Sequence, residues 1–402
     1  MKNLKIGLLG RVIFAIVLGI GAGLIFPDWI SKIFITFNGL FSNFLGFVVP
    51  LIILGLIAPG IADLGKSAGK LLIITSVLAY GFTIFTGFFA YFSCNIFYPS
   101  LLGSIDSIPK VDSAAKTLEA YFTLSMPPLF DVMSALILAF ILGLGMAFIK
   151  GDTLKKSMEE FKDIIMDLIN HAVIPILPIY IFGIFLNITI SGQVESILSV
   201  FIKIIILIFI LTVILLLIQF SIAGIVAKVN PLKALKNMMT AYLTALGTQS
   251  SAATIPVTYQ QTLKNGVDVD VAGFVIPLCA TIHLSGSMLK ITACAMAIMM
   301  MNGIPIIPEV FIGFIFMLGI TMVAAPGVPG GAIMAALGVL SSILGFNEEA
   351  LGLMIALYIA MDSFGTACNV TGDGAIALII NKIYKKEVGH NMEQEIEIIQ
   401  NL

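Results

Sequence analysis

The residues with the clearest potential for chemistry are two aspartates and an asparagine within an apolar stretch near the end of the chain. Asp362, Thr366, Asn369 and Asp373 lie at positions i, i+4, i+7 and i+11 within about residues 351–383. On an α-helix this spacing places all four side chains within one narrow arc. Intramembrane carboxylates usually mark a path for a substrate or an ion, and the simpler alternative is a polar seam between helices.

Composition identifies the chain as an integral membrane protein in contact with a lipid bilayer. Hydrophobic residues make up 59% of the 402 residues, charged residues 11%, and the mean hydropathy is +1.09. Soluble domains carry about 25% charged residues. The net charge of −2 does not bear on nucleic-acid binding, and because no basic stripe is present, a nucleic-acid partner is not expected. The four cysteines form no paired motif, so neither a cofactor nor a metal is expected beyond a transported alkali cation.

The hydropathy pattern changes near residue 230. Six long apolar runs come first, at about 8–26, 34–62, 70–98, 133–149, 161–190 and 196–228. The later segments, 231–263, 269–301, 305–344 and 351–383, are broken at their centres by Gly, Ser, Thr and Pro. Such segments are typical of re-entrant hairpins and unwound helices at a binding site. We expect a six-span half (1–229), a core (230–385) and a mobile acidic cytoplasmic tail (386–402).

Lysine and arginine positions predict the orientation in the membrane. Most of these residues fall on one side if the segments after residue 230 alternate as hairpin, span, hairpin, span. Both termini are then cytoplasmic in a multi-pass protein of the cell membrane, and residues 100–127 form an external loop. The first apolar run lacks a small-residue cleavage site, so it is expected to be a retained helix.

Two further motifs resemble the tips of helical hairpins. Residues 247–256 read Gly-Thr-Gln-Ser-Ser-Ala-Ala-Thr-Ile-Pro, in which Ser250 and Ser251 offer short hydroxyl donors. A Ser/Thr-rich contact between helices is the alternative there. Residues 324–332 read Ala-Ala-Pro-Gly-Val-Pro-Gly-Gly-Ala and cannot remain helical. They are expected to form a hinge or a gate.

Together these motifs resemble the dicarboxylate/amino acid:cation symporter family, which includes glutamate transporters and neutral amino acid exchangers. The resemblance covers nearly the whole chain and rests on residues 248–256, 327–330 and 362–373. It implies an all-α membrane protein with eight transmembrane helices and two re-entrant helical hairpins. It also implies a homotrimer with an elevator mechanism, in which spans three and six join the core at 230–385.

The resemblance further implies roles for individual residues. Asp362 would hold the α-ammonium of an amino acid substrate, and Asn369 its α-carboxylate. The other substrate-binding candidates are Ser250, Ser251, Ser287, Gly365 and Thr366, with Val328 and Gly331 as the lid. The cation-binding candidates are Asp373, His283 and the backbone oxygens of Asn369 and Cys279. Charge logic agrees, because a zwitterion needs one anionic partner and several neutral donors.

Departures from the family pattern favour a neutral substrate. Acidic amino acid transporters of this family carry an arginine where this chain has Gly365, and no arginine follows Arg11. The fork that would grip a second substrate carboxylate is therefore missing, and the glycine is expected to leave space for a larger or apolar substrate side chain. An acidic amino acid or dicarboxylate symporter, and an exchanger with little sodium dependence, remain alternatives.

The seventh span departs from the pattern at its coupling site. The family commonly shows Asn-Met-Asp-Gly-Thr where this chain has His-Leu-Ser-Gly-Ser at 283–287, so Ser285 replaces a carboxylate. One sodium site is therefore expected to be lost, and the coupling ion is sodium or a proton. His283 is a candidate proton carrier or a hydrogen-bonded core imidazole. Lys290 either substitutes for an ion beside a carboxylate such as Asp373 or snorkels to an interface.

Two other protein classes fit the sequence poorly. A hydrolase would need a nucleophile and a base in reach, and no triad motif accompanies Ser250 or Ser251. A channel would show repeated polar rings or a filter sequence, whereas two broken hairpins suit alternating access. The sequence therefore predicts a transporter rather than an enzyme.

Overall fold

The computed structural model describes residues 7–66, 70–102, 118–192, 194–325, 327 and 329–400. Throughout these ranges the regular secondary structure is helical. Seven segments are long and apolar enough to cross a membrane, judged by length and composition: Leu8–Ile25, Asp28–Ala62, Leu71–Leu102, Thr153–Ile190, Ile197–Ala227, Val269–Met301 and Asp362–Lys385. Large apolar side chains such as Phe14, Ile96 and Ile225 are exposed on the outside. This inverted pattern suits a lipid environment.

The N-terminal half consists of long helices. They are α1 (Leu8–Ile25), α2 (Asp28–Lys66), α3 (Lys70–Leu102), α4 (Val132–Phe148), α5 (Thr153–Leu168), α6 (Ile174–Ile190) and α7 (Val194–Ala227). One π-helical turn, Ile169–Val173, joins α5 to α6 without a break in direction. These helices match the six predicted apolar runs. The expected external loop at 100–127 lies largely outside the described residues, and its start at 100–102 still belongs to α3.

The C-terminal half consists of helices of 13 to 18 residues followed by the 39-residue α15, and they come in pairs. They are α8 (Pro231–Thr248), α9 (Ser251–Lys264), α10 (Val269–Ile282), α11 (Ser285–Met301), α12 (Pro308–Ala324), α13 (Gly331–Leu344), α14 (Glu348–Ala360) and α15 (Asp362–Gln400). All four predicted segments are interrupted, but in 351–383 the interruption is at Met361, and the Gly-, Ser- and Thr-containing stretch after it continues as α15. Helix α15 continues to Gln400, within the predicted tail, and the mobility of that tail stays a prediction.

Two of these pairs are helical hairpins with tight tips. Helices α8 and α9 pack together across a turn in which Gln249 adopts a left-handed conformation, with φ of 53°. Ser250 then caps α9, because its side chain accepts a hydrogen bond from the Ala253 amide. Helices α12 and α13 pack together across a tip that ends at Gly330, with φ of 74°. Glycine adopts this backbone conformation without steric cost.

Helix contacts divide the fold into two groups. Helices α1, α2, α4, α5 and α6 contact one another, whereas α3 and α7 pack against the C-terminal helices. Every residue of α11 is buried, and its first turns pack against the first turns of α15. A helix that is buried on all sides lies in the core. Contacts of α2 with α12 and α13, and of α1 and α6 with α14, join the two groups.

Candidate functional site

Four helix junctions meet around one small cavity. It lies where α8 turns into α9, α10 into α11, α12 into α13 and α14 into α15, and its volume is about 10 Å³. The lining residues are Gln249, Ser251, Leu284, Ser287, Gly327, Ala332, Tyr358, Asp362, Thr366 and Asn369. Helix N-termini favour negative groups and C-termini favour positive ones. The cavity therefore suits a small ligand that carries both charges.

The predicted polar stripe is present on α15. Asp362, Thr366 and Asn369 all line the cavity and are buried. Thr366 Oγ1 donates a hydrogen bond of 3.0 Å to the backbone oxygen of Asp362, one helical turn earlier. Asp373, the fourth member, lies further along the helix and belongs to a separate cluster. The stripe thus serves two neighbouring sites.

Both carboxylate oxygens of Asp362 are bonded to other elements. Lys290 Nζ, from α11, donates to Oδ1 at 3.2 Å. The backbone N–H of Gly330, at the second hairpin tip, donates to Oδ2 at 2.8 Å. Gly331, the predicted lid residue, begins α13, and the tip contact to the carboxylate comes from its neighbour Gly330. Val328 lies outside the described residues.

Lys290 is fully buried beside Asp362. Its side-chain nitrogen lies 3.8 Å from the centroid of the Tyr358 ring and 3.4 Å from the backbone oxygen of Met361. The expectation that it snorkels to an interface is wrong, and the carboxylate it reaches is Asp362 rather than Asp373. An ion pair and a cation–π contact compensate part of the cost of burying its charge.

The space beside Gly365 is occupied by the protein itself. A Cβ atom added at Gly365 would overlap Cδ, Cε and Nζ of Lys290. The expectation that this glycine leaves room for a larger substrate side chain is therefore wrong, because a lysine from another helix fills the position. Gly365 is absent from the lining of the cavity. Sequence spacing along α15 could not reveal a neighbour that comes from α11.

Asn369 links α15 to the start of α11. Its Oδ1 accepts hydrogen bonds from the backbone N–H groups of Gly286 at 2.7 Å and Ser287 at 3.4 Å. Its Nδ2 donates to Ser287 Oγ at 3.3 Å, and that hydroxyl lies 3.0 Å from the Tyr358 hydroxyl. An amide nitrogen carries two hydrogens, so one remains for a ligand carboxylate. The predicted pair of Asn369 and Ser287 is brought together.

The two hairpin tips are joined by one side chain. Ser250 Oγ donates a hydrogen bond of 3.1 Å to the backbone oxygen of Gly327, and it accepts the capping bond from Ala253. Ser251 lies next to it, is buried and faces the cavity. Both predicted serines are thus at the site: Ser250 joins the two tips by a hydrogen bond, and Ser251 lines the cavity.

A second buried cluster surrounds Asp373. Its Oδ1 lies 2.8 Å from His283 Nδ1, and since a carboxylate only accepts, the imidazole donates. Asp373 Oδ2 and Gln219 Oε1 are buried acceptors without a hydrogen-bond partner among the described residues. The backbone oxygen of Cys279, a predicted cation ligand, accepts the His283 amide at 2.9 Å. The orphaned oxygens suit a small cation or a proton.

Three residues at these two sites, Gln219, Tyr358 and Gly330, were not predicted from the sequence. Gln219 of α7 donates to Ser285 Oγ at 3.3 Å and lies beside Gly372 with His283. Its signal was a lone amide in the apolar run 196–228. Tyr358 and Gly330 carried weaker signals, because an aromatic residue in an apolar helix and a glycine in a Gly-rich tip are both common.

The chain is similar to known transporters. A model of the sodium:dicarboxylate symporter family matches residues 8–383. The serine/threonine transporter SstT of Acinetobacter baumannii (strain AYE) is 27% identical over 387 residues, which cover 92% of this chain and 95% of that protein. Excitatory amino acid transporter 3 of Mus musculus is 36% identical over 181 residues, or 44% of this chain and 34% of that protein. Excitatory amino acid transporter 2 of Mus musculus is 29% identical over 284 residues, or 67% and 49%.

Proposed function

The chain belongs to the sodium:dicarboxylate symporter family, and from this premise we propose that it carries a small neutral amino acid across the cell membrane by cation-coupled symport. Its work is transport, not catalysis. The observation that carries the proposal is the cavity between the hairpin tips, where an aspartate and an asparagine face helix N-termini. A zwitterion matches that arrangement of charge.

The substrate ammonium binds Asp362 at Oδ2. That oxygen accepts the backbone N–H of Gly330, so the ammonium replaces a neutral donor with a charged one. The substrate carboxylate binds the free N–H of Asn369, with Ser251 and Thr366 beside it. To break the bond between the Gly330 N–H and Asp362 Oδ2, the second hairpin tip must move. This movement is consistent with a lid that comprises Val328, Gly330 and Gly331.

The filled space beside Gly365 favours a small substrate. Lys290 occupies the position from which a longer substrate side chain would be gripped, and no guanidinium is available for a second carboxylate. The relative matched over nearly its whole length is by name a serine/threonine transporter. An acidic amino acid or dicarboxylate is the alternative substrate, since relatives named excitatory amino acid transporters match parts of the chain.

The coupling cation binds at Asp373. Its free Oδ2 and the free Gln219 Oε1 are the hard oxygen ligands that sodium prefers. His283 already bonds Asp373, so a proton on the imidazole provides the same charge as a sodium ion. We therefore propose one cation per cycle at this cluster, sodium in the family's usual manner or a proton through His283.

The proposed architecture has eight spans, two re-entrant hairpins and an elevator movement within a homotrimer. The seven long apolar segments together with α4 give eight spans, and the pairs α8–α9 and α12–α13 supply the hairpins. Contacts of α3 and α7 with the C-terminal helices support a moving unit of residues 230–385 with spans three and six. We also propose that both termini are cytoplasmic, because of the distribution of lysine and arginine.

The deciding experiment is uptake into proteoliposomes. Labelled serine, threonine, alanine, aspartate and glutamate are offered under an imposed sodium gradient, an imposed proton gradient, or neither. We expect saturable, stereoselective uptake of serine, threonine or alanine with at least one gradient. Uptake that prefers glutamate or aspartate would overturn the neutral-substrate proposal, and a voltage-driven current without substrate would indicate a channel.

A further inference from the structure

The counter-charge that Asp362 requires is supplied by the protein itself, from Lys290. The hairpin tips are packed so closely that the cavity of about 10 Å³ has room for about one water molecule. Within it, both oxygens of Asp362 are bonded to protein groups. One of those groups carries a full positive charge.

Closing the tips over a bare carboxylate would be unfavourable. A buried carboxylate without a counter-charge loses its hydration and gains nothing in return. If the substrate ammonium were the only available counter-charge, the tips could close only around substrate. Such a carrier could exchange one substrate for another but could not return empty.

We propose that Lys290 is a built-in counter-cation that allows the substrate-free protein to close and reorient, so that it performs net uptake and not only exchange. The inference rests on the proposed function, because it assigns Lys290 a role in that same transport site. Lys290 neutralises Asp362 in the empty form, and a zwitterionic substrate adds no net charge in the loaded form. Both forms of this site therefore cross the membrane with the same charge.

The geometry keeps the lysine and the substrate on different oxygens. Lys290 holds Oδ1 from beside Gly365 and the Tyr358 ring, and its own side chain is not part of the cavity lining. Oδ2 faces the hairpin tip and is held by the Gly330 N–H. The substrate ammonium can thus take the place of the Gly330 N–H on Oδ2 without displacing Lys290 from Oδ1. Lys290 remains in place through the cycle as a fixed charge.

The test compares two modes of transport in proteoliposomes loaded with N-methylglucamine as the internal cation. Net uptake is measured into vesicles without internal amino acid, and exchange into vesicles preloaded with the same unlabelled amino acid. For Lys290→Met we expect the ratio of net uptake to exchange to fall at least ten-fold below the wild-type ratio. Lys203→Met, the same change at an exposed lysine of α7, is the matched control and should alter neither mode.

Wild-type protein supplies a test that does not depend on a variant folding. Its net uptake should proceed in N-methylglucamine as fast as in potassium, because the counter-cation is internal. A wild-type requirement for an internal small cation would overturn the proposal, as would a Lys290→Met protein whose two modes fall equally. Wild-type protein that shows neither mode with any amino acid would instead refute the proposed function.

Discussion

At the scale of single residues, Lys290 and Asp362 can each be buried as charged groups only because the other lies beside it. Asp362→Asn removes the negative partner and leaves an unpaired ammonium in the core, which costs about 3–5 kcal/mol. Adding Lys290→Met should recover part of that loss, with a coupling of about 0.5–3 kcal/mol. Thermal unfolding in detergent measures it. Adding Lys203→Met instead should recover nothing, and equal recovery from both lysines would contradict the pairing.

Gly365 is required because Lys290 needs its space. Gly365→Ala places a methyl group on the lysine stem, an overpacking that costs about 1–3 kcal/mol and displaces the ammonium from Asp362. We expect lower thermal stability and weaker substrate binding, measured by unfolding and by titration. Gly313→Ala, in an exposed helical position with no atom near the added Cβ, is the control and should be neutral or mildly stabilising. Equal behaviour of the two variants would contradict the steric account.

His283 holds the carboxylate of the coupling site. Its Nδ1 lies 2.8 Å from Asp373 Oδ1, so His283→Asn removes a buried donor from the side chain proposed to bind the cation. The sodium concentration that gives half-maximal uptake should rise roughly 2- to 10-fold, the value of one hydrogen bond. His171→Asn, the same change at an exposed histidine, should leave it unchanged. Sodium activation that is the same in wild type and His283→Asn would refute the role.

At the scale of elements, Ser250 both caps α9 and joins the two hairpin tips. Ser250→Ala removes the cap, at about 0.5–2 kcal/mol, and the donor to Gly327. Because that donor holds the tips together over the substrate, KM should rise roughly 2- to 10-fold, the value of one hydrogen bond. Asn230→Ala removes the equivalent cap of α8 and should lower stability without changing KM. A similar KM change in both variants would show that capping alone is responsible.

The helix breaks could be predicted from the sequence because their causes are local. The Pro and Gly residues at 324–332 exclude a continuous helix, and the spacing of Asp362, Thr366 and Asn369 defines one face of α15. The partners of those side chains could not be predicted. Lys290 reaches Asp362 only because α11 packs on α15, and that packing depends on contacts far apart in sequence. The prediction of free space beside Gly365 was wrong for this reason, since the lysine that fills the space comes from α11.

At the scale of the whole molecule, α2 and α12 lie in different contact groups and touch where the elevator proposal requires sliding. A Cβ atom at Gly60 would lie 3.5 Å from the Ala324 Cβ, within the range of a disulfide. Oxidised Gly60→Cys/Ala324→Cys protein should lose transport and regain it on reduction. Each single variant, treated with the same oxidant, is the control, since the four native cysteines are buried. Undiminished transport by the crosslinked protein would refute sliding at this contact.

The short helix α4 has a consequence for the surrounding lipid. Its 17 residues span about 25 Å, less than the roughly 30 Å hydrocarbon core of a bilayer. Ile137, Ile141 and Phe148 are exposed on its surface, so the lipid chains must meet this shorter apolar band directly. A bilayer accommodates such hydrophobic mismatch by thinning locally. The host membrane's thickness is thereby coupled to the helix that packs along α2, and thin or easily compressed bilayers are the natural setting for this fold.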